Sequence, residues 1–371
     1  MSSREILLHL SLIDNLGPVA IQAIVQKLNQ EFKNIYNFSK IDLVNSFGFS
    51  EPIAKRVVEG LENSEILKKE LELIDKHAVR ILTLIDEEYP SHLKEIYAPP
   101  PVLYVKGNVS ALKKDSLAVI GSRKANLYGK KIIASLVPDF VQHNFSIVSG
   151  GALGADAMAH EATLQAKGIT IVVLGSGLTQ LYPKTNLALF KRVVENNGAL
   201  VSAFPMAMQA LPGNFPARNR IISGLSKGCI VIQAAQKSGA VITASFALDQ
   251  GRDVFAVPGA IDDPLSIGCH QLIQQGAGLV NSSKDVLEHY GFSAKEETPK
   301  QTNILETIVS NVAAKSLSIE ERLLLYCKTS RSIDELMAET SLELAQLQSV
   351  LFGLQLEGVI SQNFAGLWHT T

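Results

Sequence analysis

The chain has 371 residues, of which 46% are hydrophobic and 19% charged, a composition that excludes a disordered protein and predicts two or three domains. The apolar stretches are short and interrupted, so we expect no membrane-spanning helix. The three cysteines form no CxxC pair, no zinc spacing and no disulfide framework, and the first residues, MSSREILLHL, do not resemble a signal peptide. These features predict a cytoplasmic protein without a structural metal.

The net charge of −2 argues against a nucleic-acid binder, but the charges are unevenly distributed. Residues 116–292 contain 14 Lys and Arg against 10 Asp and Glu, whereas residues 317–371 contain 3 against 7. The segment from Asn196 to Leu248 has no acidic residue, yet it contains four cations: Arg218, Arg220, Lys227 and Lys237. This pattern favours a polyanionic ligand. Burial of the segment in strands would explain the missing acids but not the cations.

Residues 1–75 have the pattern of amphipathic helices and predict a small helical domain. Two segments, NLGPVA (15–20) and SFGFSEPIAKRVV (46–58), each place a glycine between apolar residues just before a helix. Such turns occur in helix-hairpin-helix units, which donate backbone N–H groups to phosphate. They also occur in helical domains that serve only for packing, and the pattern leaves both possibilities open.

From Leu117 onwards, short β-branched runs alternate with glycine-rich turns and helical segments. Such continuous apolar runs are typical of buried parallel strands in β-α repeats. We therefore predict an extended Rossmann-like α/β domain over residues 76–292, with a doubly wound, mostly parallel sheet and a ligand site at the carboxyl ends of its strands. The predicted strands are 117–120, 146–148, 169–174, 199–202, 229–232, 253–257 and 278–280.

The C-terminal part of the chain has a different character. Residues 293–316 are polar and mixed in charge, which predicts a linker. Residues 317–371 have the pattern of a winged-helix-like domain, with a helix, a turn, a second helix and a hairpin. There is no Lys or Arg from Ser332 to Thr371, so this domain cannot neutralise phosphates well. We expect it to contact a partner protein or to serve for packing.

Small residues follow three of the predicted strands. Gly121 and Ser122 follow the first, Ser149, Gly150 and Gly151 end the second, and Gly175 ends the third. Small residues let a ligand approach the backbone, and N–H groups at the following helix starts can bind phosphate. The acidic residue that a dinucleotide fingerprint requires about 20 residues further on is missing, and there is no P-loop motif. We therefore expect phosphate binding without a cofactor, with the hydroxyl groups of Ser122 and Ser149 as hydrogen-bond donors to the phosphate.

Asp156 and His160 lie four residues apart on one predicted helix, so their side chains can face each other. They could form an acid–base or metal pair, or a hydrogen-bonded pair that fixes the helix near the loop. No third ligand lies close in the sequence, which favours the second interpretation.

Six segments, in this order, together resemble one known family. They are AVIGSRKANLYG (118–129), VSGGALGADAMAHEATL (148–164), VVLGSGLTQLYPKTN (172–186), LPGNFPARNRIISGLS (211–226), SGAVITASFAL (238–248) and GRDVFAVPG (251–259). They resemble the DNA-processing protein A (DprA/Smf) family. The resemblance implies a single-stranded DNA-binding recombination mediator that protects incoming DNA and loads RecA onto it during natural transformation. It also implies a homodimer, a sterile-alpha-motif-like (SAM-like) N-terminal domain and no enzymatic activity.

In that family, a GSR motif and the basic residues of an RNR segment line an anion-binding cleft. The resemblance implies this role for Ser122, Arg123, Arg218 and Arg220. We expect the three arginines to point into one shared site, whereas Asn219 either caps its helix or contacts the ligand. Further candidates for phosphate binding are Lys130, Lys131, Lys184 and Lys237. Candidates for base stacking are Tyr128, Phe204 and Phe215.

Two departures from the family pattern remove carboxylates at strand ends. Ala203 and Gln233 stand where many members have Glu. An enzyme with paired carboxylates would be disabled by these changes, whereas a phosphate-binding surface would tolerate them. The alternative is a nucleotide-cleaving or nucleotide-sensing protein similar to the lysine-decarboxylase-like group. The PGGxGT motif of that group is replaced here by VPGAIDDP (257–264).

Overall fold

The computed structural model describes residues 1–29, 31–292, 318–327, 331–340, 342–363 and 367–370. It contains two compact units, Met1–Ser293 and Ala294–Thr371. The predicted linker, 293–316, lies outside the described residues, and the predicted domain boundaries stay predictions.

The N-terminal part of the first unit is helical, as predicted. Its helices are α1 (Ser3–Ser11), α2 (Pro18–Leu28), α3 (Lys40–Phe47), α4 (Glu51–Glu62) and α5 (Ser64–Lys76), with a 3-10 helix at Phe32–Asn37. Gly17 is the N-cap of α2, and Gly48 ends α3 with a φ of 67°, in the left-handed region that glycine adopts without strain. The buried faces of these helices share one hydrophobic cluster with Val102 and Tyr104 of the sheet.

The second part of this unit is a nine-stranded sheet with the order β1-β2-β6-β5-β4-β3-β7-β8-β9. Its strands are β1 (Arg80–Thr83), β2 (Val102–Gly107), β3 (Ser116–Ile120), β4 (Ser146–Ser149), β5 (Thr170–Leu174), β6 (Ala199–Ser202), β7 (Gly228–Val231), β8 (Asp253–Ala256) and β9 (Gly278–Leu279). Strands β3 to β9 are parallel to one another, which confirms the predicted α/β fold. Strands β1 and β2, which add to the edge of the sheet in antiparallel orientation, were not predicted from the sequence.

Helices cover both faces of the sheet. They are α6 (Ser91–Glu95), α7 (Leu127–Gln142), α8 (Ala155–Gln165), α9 (Leu187–Glu195), α10 (Asn214–Leu225), α11 (Gly239–Asp249), α12 (Ile267–Gln274) and α13 (Ser283–His289), with 3-10 helices at Val109–Lys113 and Lys184–Asn186. The strand order reverses between β3 and β7, which are neighbours in the sheet. In open α/β sheets such a reversal, called the switch point, opens a crevice outside the carboxyl ends of the strands.

The second unit contains three described helices and a small antiparallel strand pair, which agrees with the winged-helix-like prediction. These are α14 (Ile319–Tyr326), α15 (Ile333–Thr340), α16 (Leu344–Leu356), β10 (Ile360–Gln362) and β11 (Trp368–Thr370). Their buried residues form a separate hydrophobic cluster that includes Leu336, Leu351 and Trp368. Over all the residues described in both units, no helix has the length and apolar character needed to cross a bilayer.

Candidate nucleic-acid interface

A cavity of about 580 Å³ lies at the switch point, at the carboxyl ends of β3 and β7. Its walls come from the loop after β3, the start of α8, the helix α10 and the segment that leads into α11. Six of the predicted site residues line it: Gly121, Ser122, Arg123, Phe215, Arg218 and Asn219. The fold therefore brings together residues that lie almost 100 positions apart in the chain.

The loop that presents Arg123 is held at both ends by Gln233. The backbone N–H of Ser122 donates to the Gln233 carbonyl (2.7 Å), and the N–H of Asn126 donates to Oε1 of Gln233 (3.1 Å). Asn126 in turn caps α7, because its side-chain oxygen accepts from the N–H groups of Tyr128 and Gly129. This loop is thus fixed by the protein itself, while the Arg123 side chain remains exposed.

Arg218 lies beneath the cavity and is only 4% exposed. Its Nη1 is 3.8 Å from Oδ2 of Asp156, which also accepts the N–H of Ala152 at 3.3 Å. Burial raises the pKa of the Asp156 carboxyl, and the Arg218 guanidinium offsets part of that shift. A Cβ on Gly150 would overlap the Arg218 guanidinium, so glycine at this strand end makes room for the arginine.

Phe215 joins the two arginines. The Cζ atom of Arg123 is 5.2 Å from the centre of the Phe215 ring, and that of Arg218 is 5.9 Å from it, both within the range of cation–π contacts. The Tyr182 ring lies 6.2 Å from Phe215, and a Cβ on Gly175 would come within 3.2 Å of Phe215. Two cations and two aromatic rings therefore form one cluster, which suits an anion that carries an aromatic ring.

Asn219 lines the cavity and also connects two helices. Its Nδ2 donates to the carbonyl of Gly239 at 3.3 Å, which ties α10 to the start of α11. Ser238 caps that helix, because its hydroxyl accepts the N–H of Val241 at 3.4 Å.

The prediction that Arg220 shares the site of Arg123 and Arg218 is wrong. Residues two apart on an α-helix point about 200° away from each other, so Arg218 and Arg220 cannot face one cavity. The Arg220 guanidinium instead donates to the carbonyls of Tyr97 and Ala98, the latter at 2.6 Å. Arg220 lines a separate groove together with Phe204, so neither residue contributes to the Phe215 cluster.

The prediction that Ser149 binds phosphate through its hydroxyl is also wrong. Ser149 is fully buried, and its Oγ donates to the Val119 carbonyl at 2.7 Å. Gly151 is needed for packing, because its φ is 65° and a Cβ there would come within 2.6 Å of Val172. The Ser149 hydroxyl is therefore engaged within the sheet, and the role of the backbone N–H groups of this loop in phosphate binding stays a prediction.

The remaining candidates lie around the cavity or away from it. Lys237 is exposed and precedes Ser238, which lines the cavity, and Lys130 and Lys131 are exposed on α7. Tyr128 donates its hydroxyl to the Pro258 carbonyl at 2.5 Å, and Lys184 lines a different cavity beyond Tyr182. The roles of these residues in ligand binding stay predictions.

His160 and Asp156 share a helix but have different partners. Nδ1 of His160 donates to Oγ1 of Thr170 (2.7 Å), whose own hydroxyl donates to the Ile147 carbonyl (2.8 Å). Burial, together with the nearby Arg218 charge, lowers the pKa of His160 to about 3. This geometry supports a structural role for both residues. Across the part of the chain that the structure describes, no group of three or more His, Cys, Asp or Glu could hold a metal.

Two contributors to the site were not predicted from the sequence. They are Tyr182, whose ring lies near Phe215, and Gln233, which holds the Arg123 loop. Tyr182 lies two residues before Lys184 in the segment LYPKTN, and this pairing of an aromatic residue with a lysine was the available signal. The role of Gln233 has no such signal, because it depends on which strand lies next to β3.

The fold and the site define a Rossmann-like protein with a cationic and aromatic cleft at the switch point. Residues 80–291 match the model of a family described as DNA recombination-mediator protein A. This chain belongs to that family, which confirms the resemblance seen in the sequence.

Known relatives agree with this assignment. The chain is similar to DNA processing protein DprA of Streptococcus pneumoniae, with 45% identity over 210 residues that cover 57% of this chain and 74% of the relative. The X-ray structure of DNA processing protein A from that organism matches with a TM-score of 0.68 and 35% identity, over 78% of this chain and 98% of that one. The structure of DNA processing protein A from Helicobacter pylori, which was reported for its single-stranded DNA binding mode, matches with a TM-score of 0.52 and 28% identity, over 57% of this chain and 95% of that one.

Proposed function

We propose that this protein binds single-stranded DNA across the carboxyl ends of its strands, as a recombination mediator. The observation that supports this most is the Phe215 ring with the guanidinium groups of Arg123 and Arg218 at 5.2 and 5.9 Å. Arginine binds phosphate through charge-assisted hydrogen bonds, and an aromatic ring stacks on any base, so such a cluster suits a single strand of any sequence. The single-stranded DNA binding of the Helicobacter pylori relative supports the same proposal.

The site favours binding over hydrolysis. Asp156 is the one carboxylate among the described residues that line the switch-point cavity, and it is buried against Arg218. Ala203 and Gln233 stand where many members of the family have Glu, and the Gln233 amide oxygen holds the Arg123 loop. A pair of free carboxylates for acid–base work is therefore missing from this cavity, so we propose a mediator and not a nucleotide-cleaving enzyme.

We further propose that the protein acts as a homodimer in the cytoplasm and loads RecA onto the bound strand, as its family resemblance implies. Several bound copies would raise the local concentration of RecA contacts along one strand. RecA ATPase activity on single-stranded DNA that is covered by single-strand-binding protein tests this step. Addition of the protein should remove the lag in ATP hydrolysis, and an unchanged lag would count against RecA loading.

The site is tested by the variant Arg123→Ala combined with Phe215→Ala. Loss of one phosphate contact and of one stacking platform, the latter worth about 1–3 kcal/mol, should weaken binding of a labelled oligo-dT by about tenfold to a hundredfold. Arg218 is unsuitable for this test because its removal leaves the Asp156 carboxylate buried without its cationic partner.

The matched control is Lys284→Ala, which removes an exposed cation on α13 and should leave the affinity unchanged. Thermal unfolding of both variants checks that they are folded. If a folded Arg123/Phe215 double variant binds oligo-dT as tightly as the wild type, the assignment of this site is refuted.

A further inference from the structure

We propose that the bound strand continues past Tyr182 into a second cationic cavity, which binds the next phosphates through Lys106 and Lys184. This cavity has a volume of about 620 Å³ and lies in the same compact unit as the switch-point cavity. The inference rests on the proposed single-strand binding and extends it to a second subsite with its own residues.

The charge of the second cavity suits phosphate groups. Its cationic or titratable lining residues are Lys106, Lys184 and His77, and its lining also includes the amides of Gln180 and Gln209. None of the described residues that line it is an Asp or a Glu. A cavity that gathers lysines without a carboxylate attracts a polyanion, because nothing in its walls neutralises the charge.

The two cations come from separate parts of the fold. Lys106 lies on β2, where it pairs with Leu200 of β6, and Lys184 begins the short 3-10 helix that follows β5. Both lysines nevertheless line the same cavity.

Tyr182 connects the two subsites. It is 49% exposed, it lines the small pocket that holds Arg123, Phe215 and Arg218, and it also lines the second cavity. Its ring lies 6.2 Å from that of Phe215. A strand with one base at Phe215 therefore meets a second aromatic ring and then the two lysines, the alternation of stacking platforms and cations that single-strand binding requires.

The wall of the second cavity is held in place by the protein. The N–H of Gly177 donates to the Met208 carbonyl at 2.8 Å, and the N–H of Thr179 donates to the Met206 carbonyl at 3.1 Å. The N–H of Met206 in turn donates to Oε1 of Glu70 at 2.7 Å. Glu70 is buried, and this bond directs its carboxylate to the backbone, so the carboxylate does not oppose a phosphate.

The experiment compares oligo-dT ligands from about 4 to about 16 nucleotides, the range of site sizes for single-strand binding folds. The double variant Lys106→Ala/Lys184→Ala should bind the shortest oligonucleotide like the wild type and the longest one about fivefold to twentyfold more weakly. For the longest one, the slope of log K against log salt should fall by about 1.4, which corresponds to two phosphates at about 0.7 each.

The matched control is Lys113→Ala/Lys284→Ala, which removes two exposed lysines that line neither cavity. It should change neither the affinity for the oligonucleotides nor the salt slope. If the Lys106/Lys184 variant keeps wild-type affinity at every length while Arg123→Ala still weakens binding, the second subsite is refuted and the proposed function stands. An equal loss of affinity at every oligonucleotide length would also refute the second subsite, because such a loss would indicate a general effect of charge. If Arg123→Ala has no effect either, the proposed function fails.

Discussion

Replacement of Asp156 by alanine should lower the free energy of unfolding by about 3–5 kcal/mol, the usual cost of leaving one member of a buried ion pair without its partner. Arg218 and Asp156 are 4% and 6% exposed, so water cannot replace the lost carboxylate without a rearrangement. Nε of Arg218 is buried and finds no hydrogen-bond partner among the residues that the structure describes, which leaves Asp156 as the main compensation for its charge. The measurement is urea unfolding followed by circular dichroism.

A second variant distinguishes the contribution of the ion pair to stability from that of side-chain packing. Asp156→Ala combined with Arg218→Met removes both charges, and buried pairs that are replaced by apolar residues often recover their stability. The double variant should therefore be more stable than Asp156→Ala alone, although it should bind oligo-dT more weakly than the wild type. If the two substitutions instead destabilise the protein additively, the two side chains do not depend on each other.

Stability should fall as the pH drops from about 6.5 to about 3, in part because of His160. Burial lowers the pKa of His160 to about 3, from an ordinary value of 6.5, so the folded state favours the neutral imidazole. The contribution of His160 to the free energy of unfolding is complete above pH 6.5. It is lost as the pH falls towards the pKa that His160 has in the folded protein. A shift of this size corresponds to about 4–5 kcal/mol of stability.

The variant His160→Asn isolates this contribution, because its amide can still donate to Thr170 as Nδ1 does now. His9, whose pKa burial also lowers, is present in both proteins and cancels in the comparison. The difference in unfolding free energy between wild type and variant should shrink by about 4–5 kcal/mol as the pH falls across this range. If the unfolding free energies of the wild type and the variant depend on pH in the same way, His160 is not buried in its neutral form.

The parallel strands were predictable because each is a short, continuous apolar run between turns. The run ALVS, for example, corresponds residue for residue to β6, Ala199–Ser202. Strands β1 and β2 were missed because they precede the β-α repeats and pair in antiparallel orientation at the edge. Their place in the sheet follows from the pairing of β2 with β6 and of β1 with β2, which local sequence does not report.

The site was predictable in part. Arg123 and Arg218 follow from the strand-end motif and from the resemblance, but Arg220 was misplaced because both Arg218 and Arg220 lie on α10, where residues two apart face different sides of the helix. Ser149 was misplaced because a small residue at a strand end looks the same whether its hydroxyl points to solvent or to the neighbouring strand. Lys106 and Lys184 are 78 positions apart, and only the fold shows that they line one cavity.

Single-strand binding through phosphates is tested most directly by titrating labelled oligo-dT and a duplex of equal length with the intact protein, between about 50 and about 200 mM salt. We expect tighter binding of the single strand, with an affinity that falls steeply as salt rises. Arg123→Ala should reduce the salt slope by about 0.7, the share of one phosphate. Absent binding of the single strand, a preference for the duplex, or an affinity that does not depend on salt would contradict the proposed function.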